Sequence, residues 1–243
     1  MILTANTVAK LLDHSTLQPF LTQEDIRKGC ELALKYNTAT VCARPQDMPL
    51  VSSMLKGSGI LPCTVIGFPH GSHTMEAKLF EVKQALKDGC EELDMVINIG
   101  RMLAGEYDYV EKEIKMLADA SHDGGAILKV IIETCFLSDE QKVKACQLSE
   151  AAGADFVKTS TGYGTAGAKI EDVKLMRQTV SERVRVKASG GIRNLDTVLS
   201  AYAAGAARCG VSATEAIMVE AIKREAEGTL ILPENLTEMS GGY

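Results

Sequence analysis

The stretch DFVKTSTGYG, residues 155–164, opens like a buried strand and then departs from the pattern of one. Phe156, Val157 and the β-branched Thr159 suit a strand covered on both faces, yet Lys158 stands between them. A strand inside a parallel sheet normally reads as a near-continuous apolar run. VRVKASGGIR, residues 184–193, repeats the anomaly with Lys187. The fold therefore turns on whether other segments share this form and where such charges would meet.

They do share it. Short β-branched runs recur as LLDHST (11–16), TATVCA (38–43), CTVIGF (63–68), ELDMVIN (92–98), AILKVII (126–132), DFVKTS (155–160), RVKAS (185–189) and ARCGVS (207–212). Helical patterns separate them, at the spacing of a repeated βαβ unit. Thr74 can cap MEAKLFEVKQALKDG, in which Ala77, Phe80 and Leu86 are expected to share a face. Ser138 with Gln141 forms a capping box, and Asn194 caps LDTVLSAYAAG. Gly89, Gly153 and Gly205 stand where a left-handed helix end is expected.

Eight such units in 243 residues, with no linker or low-complexity tract, predict one (β/α)₈ barrel domain over 1–243 with a short tail from about 234. A doubly wound open sheet is the alternative. It would carry a glycine-rich fingerprint after its first strand, whereas LDHSTLQPFLT has no glycine.

Composition narrows the function. A net charge of −6 argues against a nucleic-acid partner. No apolar run approaches the length of a membrane span, and the N-terminus lacks a signal-peptide core. The seven cysteines form no CxxC pair and fall mostly in apolar runs. They read as buried thiols of a cytoplasmic protein, without zinc-ligand spacing.

Four charged residues lie within the strands: Asp94, Lys129, Lys158 and Lys187. Asp94, Lys129, Lys158 and Gly210 each stand five residues past a glycine, at Gly89, Gly124, Gly153 and Gly205. Equal turn lengths would set them in one layer near the barrel mouth, where such folds place their chemistry. Each charge alone is equally an end-of-strand lysine snorkelling to water or half of a structural ion pair. Together on four consecutive strands they describe a site. A lysine is normally an ammonium at neutral pH; a neighbouring cation and partial desolvation favour its free amine. A free amine condenses with an aldehyde or ketone to a Schiff base, and a nearby carboxylate can move the protons. STGYG, SGGIR and CGVSAT bring glycines to the loops after strands six, seven and eight. In barrels the last two of those loops commonly hold a phosphate; each glycine singly is equally a tight turn.

ELDMVINIG, LKVIIET, FVKTSTGYG and VKASGGIR, in this order, closely resemble the deoxyribose-phosphate aldolase family of class I aldolases; LLDHSTL and TVCARP are similar too. The likeness runs from about Leu11 to Ala213. It implies a metal-free, cofactor-free barrel that reversibly cleaves 2-deoxy-D-ribose 5-phosphate to D-glyceraldehyde 3-phosphate and acetaldehyde. By resemblance Lys158 is the Schiff-base lysine, and Lys187 the second lysine that perturbs it and aids proton transfer. Asp94 is the acid/base carboxylate and Lys129 its ion-pair partner, with Asp13 and Thr161 in support. Gly162, Gly190, Gly191, Gly210 and Ser212 match the phosphate end, where Arg193 and Arg208 are also expected. The small phosphorylated substrates leave no place for nucleic acid or membrane, and a homodimer or higher homo-oligomer is expected. RCGVSAT departs from the R-I-G-T-S-S/A of many relatives, and Tyr163 replaces a basic residue of some. Tyr243 matches a terminal tyrosine that aids proton transfer in some relatives. Other readings are a Schiff-base aldolase for another sugar or keto acid, and a phosphosugar-binding barrel without catalysis.

Overall fold

The computed structural model describes residues 2–239. Eight strands close into one parallel barrel in sequence order. They are β1 Leu12–Thr16, β2 Thr40–Ala43, β3 Leu61–Ile66, β4 Glu92–Val96, β5 Ile127–Ile131, β6 Phe156–Lys158, β7 Arg185–Ser189 and β8 Ala206–Val211. Ten helices run α1 Ala5–Leu11, α2 Gln23–Tyr36, α3 Met48–Leu55, α4 Met75–Lys87, α5 Ile99–Leu103, α6 Tyr107–Asp123, α7 Asp139–Ala151, α8 Ile170–Thr179, α9 Leu195–Ala203 and α10 Thr214–Ala226. The expected (β/α)₈ barrel and all eight expected strands are present, with no end moved by more than two residues.

The caps act as read. The Ser138 hydroxyl accepts from the Gln141 N–H, and Asn194 accepts from the Thr197 N–H. Gly89, Gly153 and Gly205 adopt positive φ, while before β5 it is Gly125 at +78° rather than Gly124. The face of α4 differs from expectation. Met75, Lys78, Val82 and Ala85 are buried, and Phe80 is 70% exposed. Apolar spacing alone favoured Phe80; the position it lost belongs to Lys78.

Lys78 is fully buried because it has partners. Its ammonium donates to Glu113 on α6 at 2.8 Å and to the Val96 carbonyl at 2.8 Å. Glu113 in turn accepts from the Asn98 N–H at 3.1 Å. This pair ties α4 and α6 to the upper end of β4.

Apolar packing falls into two compartments. The large one fills the space between strands and helices and includes Leu12, Val41, Leu93, Leu128, Val157 and Val186. The small one lies within the barrel and holds Leu17, Cys42, Cys63 and Val65, with Phe68 over it. Much of the remaining interior is polar, which accounts for the strands that broke the apolar rule. Beyond α10 the chain returns along the barrel: Ile231 bridges Ile2, and the Thr237 N–H donates to Ser200. Tyr243 lies outside the described residues.

Removing one member of a buried ion pair leaves an uncompensated charge, at a cost of about 3–5 kcal/mol. Glu113→Ala is expected to lower the urea-unfolding free energy by about that amount. A loss no larger than that of a surface substitution would contradict the tethering role of Lys78 and Glu113.

Candidate active site

The interior positions follow from strand alternation, since residues two apart on a strand face the same side. Asp94 and Glu92 on β4 therefore point inward together, as do Lys129 on β5, Phe156 and Lys158 on β6, Lys187 on β7, Arg208 and Gly210 on β8, and Asp13 on β1. Register partners confirm the alignment: Asp94 sits opposite Lys129, Lys158 opposite Lys187, and Asp13 opposite Gly210.

The single-layer expectation fails between β5 and β6. Lys158 aligns with Ile131, two residues above Lys129. Barrel closure requires staggered strands, so equal counting from the loops does not give equal height. The long lysine stems make up the difference. Lys129 donates to Asp94 Oδ1 at 2.7 Å, while Lys158 and Lys187 each donate to Asp94 Oδ2 at 2.7 Å. Three ammonium groups thus meet on one fully buried carboxylate.

The outer partners are unequal. Lys129 also lies 2.7 Å from Glu92. Lys187 also pairs with Asp13, and Arg208 bridges Asp13 and Glu92. Glu92 Oε2 and Asp13 Oδ2 face their ammonium partners off the hydrogen-bond line, so those contacts are ionic rather than directed. Among the described residues Lys158 pairs with one carboxylate, that of Asp94. Arg208 was expected at the phosphate end and is instead held inside the barrel. Beneath the cluster Phe156 lies against Arg185 and Arg208, 4.1 and 5.9 Å from its ring centre.

These contacts set the protonation states. Burial drives the carboxyl of Asp94 upward, but Lys129, Lys158 and Lys187 outweigh it and hold the group well below the ordinary carboxylate range. Asp13 is lowered likewise, burial being overcome by Lys187, Arg208 and Lys129. Burial opposes the charge on Lys187, yet Asp13 and Asp94 raise its pKa above the usual lysine value. Lys129 is raised further, against burial, by Asp94, Cys63, Glu92 and Asp13. Lys129 and Lys187 are therefore fixed cations.

Above this layer, one cavity is lined by Asp13, Ser15, Cys42, Lys158, Thr161, Lys187, Ser189, Gly190 and Gly210. It abuts a second, bounded by Gly190, Gly191, Arg193, Gly210, Val211 and Ser212. The structure thus brings Gly190, Gly191, Gly210 and Ser212 together as expected, at the start of α10. Gly162 adjoins them, its Cα 3.6 Å from where a side-chain carbon on Gly190 would stand. Gly190 has φ +85°, and such a carbon would also meet the Gly167 Cα at 2.8 Å, so the loop closes only around glycine. On the other side of Thr161 lies a 370 Å³ cavity lined in part by His70, Ile99, Phe136 and Tyr163. There the Tyr163 ring packs edge-on against Phe68 at 5.4 Å.

Sequence reasoning missed Glu133. It is buried, adopts a left-handed conformation at φ 54°, and accepts from both the N–H and the hydroxyl of Thr161. Thr161 accepts in turn from the Tyr163 N–H at 2.9 Å. Glu133 therefore fastens the turn that leads from Lys158 to Gly162. Burial raises its carboxyl pKa, with the Thr161 hydrogen bonds and Lys158 opposing. Glu92 was missed too, and the inward place of Arg208 with it. Each lies two residues before a singled-out position, Asp94 and Gly210, and the strand period was the signal available.

A closed parallel barrel whose mouth holds buried lysines around a carboxylate, beside a glycine-lined cavity, has the equipment of a Schiff-base aldolase. The comparisons agree: the family model for the DeoC/LacD family aldolases matches residues 7–219, and the chain belongs to that family. The deoxyribose-phosphate aldolase of Clostridium perfringens is 53% identical over 210 residues, covering 86% of this chain and 93% of that one. That of Rhodopirellula baltica is 47% identical, covering 89% and 90%. Among solved structures, the tetrameric deoxyribose phosphate aldolase of Aeropyrum pernix superposes with a TM-score of 0.83 at 31% identity, covering 89% and 92%. The aldolase QR15 gives 0.86 at 37% identity, covering 90% and 98%.

A depressed carboxyl contributes stability that is full above its unfolded value, near ~4, and is lost as the pH falls through the folded value. The difference in unfolding free energy between the protein and Asp94→Asn is therefore expected to hold from about pH 6 to 5 and to shrink below about 4. Urea titrations across that range measure it; a difference that shrinks already at pH 6 would contradict the assignment.

Proposed function

We propose that the protein reversibly cleaves 2-deoxy-D-ribose 5-phosphate to D-glyceraldehyde 3-phosphate and acetaldehyde, with Lys158 as the nucleophile. The observation that carries this is the inequality of the lysines. Lys129 and Lys187 each hold at least two carboxylates, whereas Lys158 holds Asp94 and borders the cavity. With every group ionised, Lys129, Lys158, Lys187 and Arg208 carry four positive charges against three negative ones on Asp13, Glu92 and Asp94. Loss of one proton neutralises the cluster.

The Lys158 amine adds to C1 of the open-chain sugar, and loss of water leaves an iminium ion. Withdrawal of the C3 hydroxyl proton then breaks the C2–C3 bond. Glyceraldehyde 3-phosphate departs and an enamine stays on Lys158. Protonation at C2 and addition of water release acetaldehyde. Asp94 and Lys187 supply and accept these protons, directly or through water. Lys187 is a weak acid in the resting site, but the iminium charge beside it favours proton release at the step that needs a donor. Gly162, Gly190, Gly191, Gly210 and Ser212 hold the phosphate, aided by the N-terminus of α10. Thr161 and Asp13 position the loop and Lys187, and Lys129 fixes Asp94.

A keto-acid substrate would require a cation for its carboxylate near Lys158. Arg208, the guanidinium within the barrel cluster, is engaged by Asp13 and Glu92, which favours a simple aldehyde donor. We place the enzyme in the cytoplasm, without metal, as a homodimer or larger homo-oligomer. No helix among the described residues is long and apolar enough to cross a membrane.

A coupled assay for glyceraldehyde 3-phosphate and acetaldehyde tests this reading, with Lys158→Ala expected to abolish turnover. Lys187→Met is expected to lower kcat by about 10²–10⁴-fold, the range of a lost acid/base group. Condensation with pyruvate or dihydroxyacetone but not acetaldehyde would overturn the substrate assignment.

A further inference from the structure

Two thiols lie against the site and have no part in the chemistry above. Cys42 on β2 and Cys63 on β3 are register partners whose side chains both face the barrel interior. Both are free and buried. Their sulfurs and a carboxylate oxygen of Asp94 all lie within 4.8 Å of one another. Cys63 donates to Asp94 Oδ1 at 3.4 Å and accepts from Lys129 at 3.4 Å. Cys42 borders the cavity that Lys158 lines, so a small solute that reaches Lys158 reaches Cys42.

We propose that Cys42 and Cys63 form a redox-active dithiol, which a peroxide converts to an inter-strand disulfide beside Lys158 and thereby switches the site off. Neighbouring strands lie about 4.7–4.9 Å apart, within the roughly 4.4–6.8 Å Cα separation that a disulfide accepts. The chemistry is asymmetric. Of the two thiols only Cys42 lines the cavity, so it is the one a peroxide meets; contact with the Cys63 sulfur lowers its pKa, burial and the Asp94 charge oppose, and the Lys187 and Lys158 cations assist. Burial, the bond to Cys42 and the Asp94 charge raise Cys63 well above the usual thiol value. Cys42, the thiol at the cavity wall, is thus the one that attacks, through its thiolate form.

Its sulfur bonds to one peroxide oxygen, the O–O bond breaks, and the departing hydroxide takes a proton to become water. The Cys63 sulfur then displaces hydroxide from the Cys42 sulfenic acid, and its own thiol proton completes a second water. Two thiols and one peroxide yield one disulfide and two waters. In the product Cys63 has no S–H for Asp94 and has drawn toward Cys42. The hub carboxylate and the cavity wall both shift, and displacements of about 1 Å can cost about a hundredfold in rate.

The same three ligand atoms could be read as a metal site. A divalent cation would have to share Asp94 with three ammonium groups already on it, and this repulsion favours the oxidative reading.

The test is hydrogen peroxide treatment in a Cys135→Ser background, because Cys135 alone of the seven cysteines is not buried. Non-reducing peptide mapping is expected to find a Cys42–Cys63 linkage and the loss of two hydrogen masses. Aldolase activity is expected to fall about a hundredfold and to return with dithiothreitol. In Cys63→Ser, scored against its own untreated rate, peroxide should give a dimedone-reactive Cys42 and a loss that dithiothreitol fails to restore after longer exposure. Should that variant not fold, the mapping of the parent chain decides. A disulfide elsewhere, an unoxidised Cys42, or equal recovery of Cys63→Ser would overturn the proposal. So would a zinc ion bound one per chain and lost in Cys42→Ser. The mapping stands whether or not the substrate assignment does; only the activity measurement rests on it.

Discussion

Everything at the barrel mouth depends on one carboxylate that serves three ammonium groups. Asp94 is fully buried, and burying it with Lys129, Lys158 and Lys187 carries a large desolvation penalty. The penalty is met by reciprocal partners: Glu92 and Asp13 take the far sides of Lys129 and Lys187, and Arg208 joins those two carboxylates. The result is a lattice in which every group but one is fixed by several others. Lys158 is the exception. The group proposed to change its charge and form a bond is the group the lattice holds least.

The two ends of the site are built on different principles. The lysine end is made of long side chains converging from β5, β6 and β7, so its geometry comes from strands. The end proposed to hold the phosphate is made of backbone, with Gly190 and Gly191 at positive φ and Gly210 where a side chain would press on Ser189 and Lys187. Glu133 joins the two ends. Its unusual backbone conformation aims a buried carboxylate at Thr161, between the nucleophile and Gly162. Strained conformations in well-packed surroundings are common at functional sites, and this one fixes how the two ends face each other.

Much of this was legible in the chain. The strands, the caps at Ser138 and Asn194, and the four interior charges followed from periodicity and spacing. The glycines singled out after strands seven and eight do line one cavity. What escaped has physical causes. Stagger is a property of a closed barrel and leaves no mark in a single strand, so Lys158 sat two residues from its expected level. Lys78 was overlooked because a buried lysine needs Glu113, 35 residues away, to make sense. Arg208 was assigned by its nearness in sequence to the phosphate glycines; the alternation of β8 turns it inward, two residues below Gly210. Cys42 and Cys63 lacked ligand spacing because strands on neighbouring repeats, not a local motif, bring them together.

The central claim is that the lattice singles out one lysine as the nucleophile. Reductive trapping tests it most directly: acetaldehyde with borohydride, followed by peptide mapping of the alkylated chain. The expected result is a single two-carbon adduct on Lys158, with Lys129 and Lys187 unmodified. An adduct on Lys187, or one shared among the three lysines, would contradict the account.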